Sequence, residues 1–88
     1  MTGLFRDIVM QYFVRTMEKH KESSGAFSFE LPCSGLAAAK AEAKRLVLSA
    51  NPALQLQADA CARNGEVVQT KYRCWINERG EFRESVLV

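Results

Sequence analysis

The chain has 88 residues, 48% of them hydrophobic, and a formal net charge of +2. That is the length of one domain (1–88), with enough apolar material for a core but a stability of only a few kcal/mol. So mild a charge does not demand a polyanionic partner, and no run approaches the ~20 apolar residues of a membrane span.

Cys33, Cys61 and Cys74 are odd in number and widely spaced, with no C-x-x-C pair, and His20 is the one histidine. This supply predicts no metal site and no disulfide framework. The cysteines mostly read as reduced, small apolar side chains in a cytoplasmic setting, with Cys61 the candidate for exposure.

Residues 4–17, LFRDIVMQYFVRTM, hold nine apolar residues out of fourteen. On a helix, Asp7, Gln11, Arg15 and Glu18 share one narrow polar stripe, and the apolar residues cover roughly 240° of the circumference. Thr2 or Gly3 is the expected N-cap, the helix runs on through Glu18, Lys19, His20 and Lys21, and Ser23, Ser24 and Gly25 stop it. The polar interruptions exclude a signal peptide. A small domain can cover one side of such a helix but not both, so Phe5, Val9, Tyr12, Phe13 and Met17 are the expected binding surface for a protein partner or a second copy.

In residues 26–31, Phe27, Phe29 and Leu31 alternate with Ser28 and Glu30, which predicts a half-buried strand broken by Pro32 to Gly35. Ser34 is the expected N-cap of a helix over residues 36–50, LAAAKAEAKRLVLSA, ended by Asn51-Pro52. Its stripe of Leu36, Ala39, Ala43, Leu46, Val47 and Ala50 is small enough to bring the backbone close to a sheet. Lys40, Lys44 and Arg45 point elsewhere.

The remainder reads as three strands, residues 54–62, 66–77 and 81–88. For the first hairpin, a two-residue Asn64-Gly65 loop would place Leu56 opposite Arg73 and Ala58 opposite Lys71. A three-residue loop from Arg63 to Gly65 sets Leu56 opposite Tyr72, Ala58 opposite Thr70 and Ala60 opposite Val68, and is preferred, with Gly65 left-handed. For the second hairpin, a loop of Glu78, Arg79 and Gly80 sets Ile76 against Phe82 and Tyr72 against Val86 but Cys74 against Glu84. A four-residue loop sets Trp75 against Phe82 and Arg73 against Glu84, and both registers stay open.

The expected fold is therefore α+β: a two-layer α/β sandwich in the order α-β-α-β-β-β, with a mainly antiparallel four-stranded sheet and two helices on one face. Its inward set is Phe27, Phe29, Leu31, Leu56, Ala58, Ala60, Val68, Tyr72 and Ile76.

No catalytic constellation is visible. There is no histidine beside a serine or cysteine, no phosphate-cradling glycine loop, and the acids are scattered over different elements. The expectation is a non-enzyme with no cofactor, metal or small-molecule substrate. One outer sheet face does gather Gln55, Gln57, Asp59, Lys71, Arg73 and Trp75. Aromatic and basic residues together suit either a protein-binding patch or a nucleic-acid platform helped by Lys40, Lys44 and Arg45.

The helix LAAAKAEAKRLVL resembles the alanine- and lysine-rich helix of double-stranded-RNA-binding domains, although that family places it after a three-stranded sheet. The run of a strand, an alanine-rich helix and a hairpin from Phe27 to Asn77, with the chain's size, resembles small phage and mobile-element accessory proteins, including anti-CRISPR proteins. That resemblance implies inhibition by occluding a surface on a larger complex. The sequence-based reading is a protein-binding module, alone or as a homodimer, with nucleic-acid binding as the alternative.

Overall fold

The computed structural model describes residues 10–19 and 27–87. Its elements are β1 (Gln11–Met17), β2 (Leu31–Cys33), α1 (Leu36–Ser49), a 3₁₀ turn (Pro52–Leu54), β3 (Gln57–Asn64), β4 (Val67–Ile76) and β5 (Phe82–Val86). The five strands form one sheet in the order β2-β1-β3-β4-β5, with every neighbouring pair antiparallel. The described residues thus hold one α-helix against five strands, which replaces the expected two helices and four-stranded sheet.

The largest correction concerns the amino-terminal segment. Residues 11–17 of the expected helix are a strand enclosed between β2 and β3, while residues 4–9, with Phe5 and Val9, lie outside the described residues. The apolar girth read as a helix's surplus has a simpler cause. In QYFVRTM, aromatic and β-branched residues alternate between two faces, and both faces are covered, as Phe13 at 3% and Val14 at 0% exposure show. A short apolar run of this kind has no periodicity that separates a buried strand from a buried helix.

The second correction concerns β2. The strand is Leu31–Cys33 and contains Pro32, the residue expected to end it. A proline fits because β2 is an edge strand and one of its sides needs no donor. Phe27, Phe29 and Leu31, expected inside, are exposed, Phe29 to 89%. Ser28 ties this segment to β1, its N–H donating to the Thr16 carbonyl at 2.8 Å and its Oγ accepting from the Thr16 N–H at 2.9 Å.

The alanine-rich helix forms within a residue of its expected bounds, with Gly35 rather than Ser34 at its N-cap. Ala39, Ala43 and Val47 are buried against Val14, Ala58, Ala60, Tyr72, Cys74 and Ile76, with Leu36 and Leu46 packed at the margin. Small side chains on both layers let helix and sheet approach closely. After the helix, the Asn51 Oδ1 accepts from the Ala53 N–H at 3.0 Å and starts the 3₁₀ turn.

The first hairpin turns on Gly65-Glu66, one position later than expected, with Asn64 opposite Val67. Gly65 has φ +61 while Glu66 does not share the positive sign, the pattern of a type II′ turn. The pairing jumps from Cys61↔Thr70 to Ala60↔Tyr72, so Lys71 is an extra, bulged residue. One extra residue restores parity beyond the bulge, so the expected faces survive for Ala58, Ala60, Tyr72 and Ile76, whereas Val68, opposite Arg63 on the turn side of the bulge, lies on the face away from α1 rather than inward as expected. Ala58 and Ala60 still face α1, now paired with Cys74 and Tyr72.

The second hairpin adopts the loop of Glu78, Arg79 and Gly80, with Ile76 opposite Phe82 and Cys74 opposite Glu84. Gly80 has φ +78, and the Asn77 Oδ1 accepts from the N–H groups of Arg79 and Glu81, each at 2.9 Å. Glu84 is accommodated because its carboxylate accepts from the Tyr72 hydroxyl and lies 3.7 Å from the Lys44 Nζ.

Candidate functional site

Direct cross-strand partners share a face, so the registers of β1, β3 and β4 generate rows of side chains on the side of the sheet away from α1. At one end lies Met17–Gln57–Trp75, then Arg15–Asp59–Arg73, then Phe13–Cys61–Thr70, then the Gln11–Arg63–Val68 row.

The second row is the electrostatic centre. Asp59 is fully buried. Its carboxylate accepts from the Arg73 Nε at 2.9 Å and Nη2 at 3.1 Å, and from the Gln57 Nε2 at 3.2 Å. A buried carboxylate survives only when paired and hydrogen-bonded in this way, and the bidentate geometry fixes the guanidinium plane. The bond to Asp59 in turn raises the Arg73 pKa. Across Asp59 on β1, Arg15 stacks its guanidinium 4.1 Å from the Phe27 ring centre, and its Nε is buried without a hydrogen-bond partner among the described residues.

Farther along, the Arg63 guanidinium lies 4.7 Å from the Phe13 ring centre and is held by both carboxylate oxygens of Glu30, at 2.8 and 2.6 Å. This arch roofs Phe13 and joins β3 to the segment leading into β2. The Arg63 hydrogen bonds hold the Glu30 carboxyl below its ordinary range.

Beyond the ion pair, the Met17–Gln57–Trp75 row opens into a pocket of about 410 Å³. Arg73 and Gln55 also line it, with Glu18, Lys19 and Glu78 among the charged residues of its wall. Gln55 has φ +48, a left-handed conformation that side-chain-bearing residues adopt at a cost of order 1–3 kcal/mol and that clusters at functional sites.

The sequence-derived site residues fall in three places. Arg73 and Trp75 share the pocket face with Gln57 and Asp59, as their alternation implied, and Lys71 is the half-buried bulge beside them. Tyr12 packs against the α1-side core, Phe13 is buried under Arg63, and Met17 lines the pocket. These three therefore do not form one exposed apolar stripe. Lys40 and Lys44 lie over the Tyr72 ring at 6.0 and 5.8 Å, and Arg45 is paired with Glu42. All three belong to α1, on the far side of the sheet from Trp75.

Two features escaped the sequence reading. Met17 joins the pocket only once β1 is a strand beside β3. The Glu30–Arg63 arch spans 33 positions and leaves no local signal. The Asp59–Arg73 pair was legible in principle, as an acid and a base on the same face of two strands expected to pair.

No thiol is poised for chemistry. Cys61, the candidate for exposure, is instead fully buried, and burial pushes its thiol up and the Cys74 thiol up to about 11, whereas a reactive cysteine needs a lowered value. Among the described residues, no group of three His, Cys, Asp or Glu side chains could hold a metal ion, and no helix is long and apolar enough to cross a membrane. Comparison with known protein families, with curated proteins and with solved structures returns no match.

Proposed function

We propose that the protein is a non-enzymatic protein-binding module that docks its partner through the sheet face opposite α1, centred on Trp75. The observation that carries the reading is the Met17–Gln57–Trp75 row, which opens a pocket directly beside the pair of Arg73 with the buried Asp59. Trp and Arg are favoured anchor residues, and an anchor is most effective when its surroundings are held rigid before the partner arrives.

The same ion pairs weigh against the nucleic-acid alternative. Arg73 is held by Asp59, Arg63 by Glu30 and Arg45 by Glu42. A phosphate would have to compete with a carboxylate already in place at each of these positions. Three free cysteines suit a reduced, cytoplasmic setting. Occlusion of a surface on a larger complex, as the likeness to phage accessory proteins implies, is the mode of action this reading favours. A homodimer through the same face is the variant form.

The test sets the purified protein and its Trp75→Ala variant against mixed DNA and RNA at ~50 mM salt, and against host lysate. Specific co-purification of a protein that Trp75→Ala loses, without nucleic-acid retention, supports the reading. Retention on nucleic acid that falls steeply with salt, as counterion release requires, replaces it with the alternative. Sedimentation equilibrium reads the homodimer separately, and a monomer at micromolar concentration removes it.

A further inference from the structure

The walls of the pocket specify what it can accept. The charge of Arg73 is answered from below by Asp59, and among the other described wall residues Lys19 stands with Glu18 and Glu78. An anionic guest would leave water and meet no net positive charge, so the lining disfavours one.

The guest's shape follows from the sheet. Met17 and Trp75 stand on strands either side of β3, two strand spacings or about 9.6 Å apart. That gap admits the thickness of one planar ring between an indole face and a thioether, both favourable neighbours for an aromatic group.

The hydrogen-bonding floor is also defined. Gln57 spends an N–H on Asp59 and brings its carbonyl oxygen as an acceptor. Arg73 spends its Nε–H and one Nη2–H on Asp59, leaving three of its five N–H donors. One acceptor beside several donors matches a hydroxyl, which does both.

We infer that the pocket receives a tyrosine side chain of the partner protein, its ring between Trp75 and Met17 and its hydroxyl on Gln57 and Arg73. The inference rests on the docking reading above and names the partner's anchor. A nucleobase meets the same walls, but its phosphodiester would face cations already engaged by Asp59 and Glu30.

Trp75 is the only tryptophan in the chain, so its indole N–H cross-peak reports on the pocket alone. The experiment titrates the isotope-labelled protein with p-cresol (the tyrosine side chain), toluene, propionate, butylammonium and uridine monophosphate. Expected is a saturable shift of that cross-peak by p-cresol, about three- to ten-fold tighter than by toluene, the range one net hydrogen bond gives. Propionate should bind more weakly than either. Gln57→Leu should reduce the preference for p-cresol over toluene, and Met17→Ala should weaken both aromatics without changing it. Equal binding of toluene and p-cresol, tighter binding of a charged probe or of the nucleotide, or no shift up to the solubility of p-cresol overturns the inference. Partner capture lost in Trp75→Ala alongside any of those results leaves the docking reading standing and removes only the tyrosine anchor.

Discussion

Replacing Arg73 with methionine asks whether its ion pair with the buried Asp59 is a structural element of the pocket or an incidental contact. The change keeps most of the side-chain length but leaves Asp59, at 0% exposure, without the two hydrogen bonds that neutralise it. Stranding a buried charge costs about 3–5 kcal/mol. Arg15 remains opposite Asp59 on β1, which places the expectation near the lower end, about 3 kcal/mol. The mirror change, Asp59→Asn, strands a guanidinium whose side chain is 39% exposed and can turn to water, so its cost is nearer 1–2 kcal/mol, about that of a lost hydrogen bond. For a domain of this size, about 3 kcal/mol lowers the melting temperature by roughly 12 °C or more. Urea unfolding followed by circular dichroism and by Trp75 fluorescence measures both variants. The double variant should cost less than the sum of the two, by about 1–3 kcal/mol of coupling. Arg73→Met within about 0.5 kcal/mol of the parent protein, or Asp59→Asn as the costlier of the two, would refute the reasoning.

Three further outcomes are expected. The Glu30 carboxyl is held below its ordinary value of 4.5 by Arg63, so its contribution to stability is present above that value and is lost as pH falls through the lowered one. Glu30→Gln should therefore flatten acid unfolding below that value, seen as a smaller loss of denaturation midpoint. Gly65→Ala places a side chain at φ +61 with open space around it, so the cost is backbone strain alone, about 1–2 kcal/mol, and Gly65→Asn should lose less. Ala43→Leu inserts bulk where α1 touches the sheet and should destabilise by about 1–3 kcal/mol, while the same change at exposed Ala41 stays within about 0.5 kcal/mol.

What the chain made legible follows physical lines. Helix α1 was readable because its apolar stripe, small residues and Asn51-Pro52 stop agree with one another. The strands after it were readable because Ala58, Ala60, Tyr72 and Ile76 keep a period of two, and face assignment depends only on parity. The hairpin register was not, since a turn displaced to Gly65-Glu66 and a bulge at Lys71 together preserve parity beyond the bulge while moving every partner and turning Val68 to the other face. Strand β1 was misread because both its faces are covered, which erases the alternation that marks a half-buried strand. The Met17 wall of the pocket was lost with it. Trp75, Arg73 and Gln57 could be placed on one face from sequence, but Met17 could not join them until β1 lay beside β3. The β2 edge was hidden by Pro32, whose exclusion from strands holds only where both edges must hydrogen-bond.

The central claim, that a partner protein docks on the pocket face, is tested most directly by placing a photo-crosslinking amino acid at position 75 and, in a separate variant, at Leu48. Leu48 is 64% exposed on α1, on the opposite side of the sheet, and so controls for mere accessibility. In the native host, the account predicts one discrete protein adduct from position 75, with the Leu48 variant giving none. Adducts of equal yield from both positions, an adduct from Leu48 alone, or crosslinking from position 75 only to nucleic acid would contradict it.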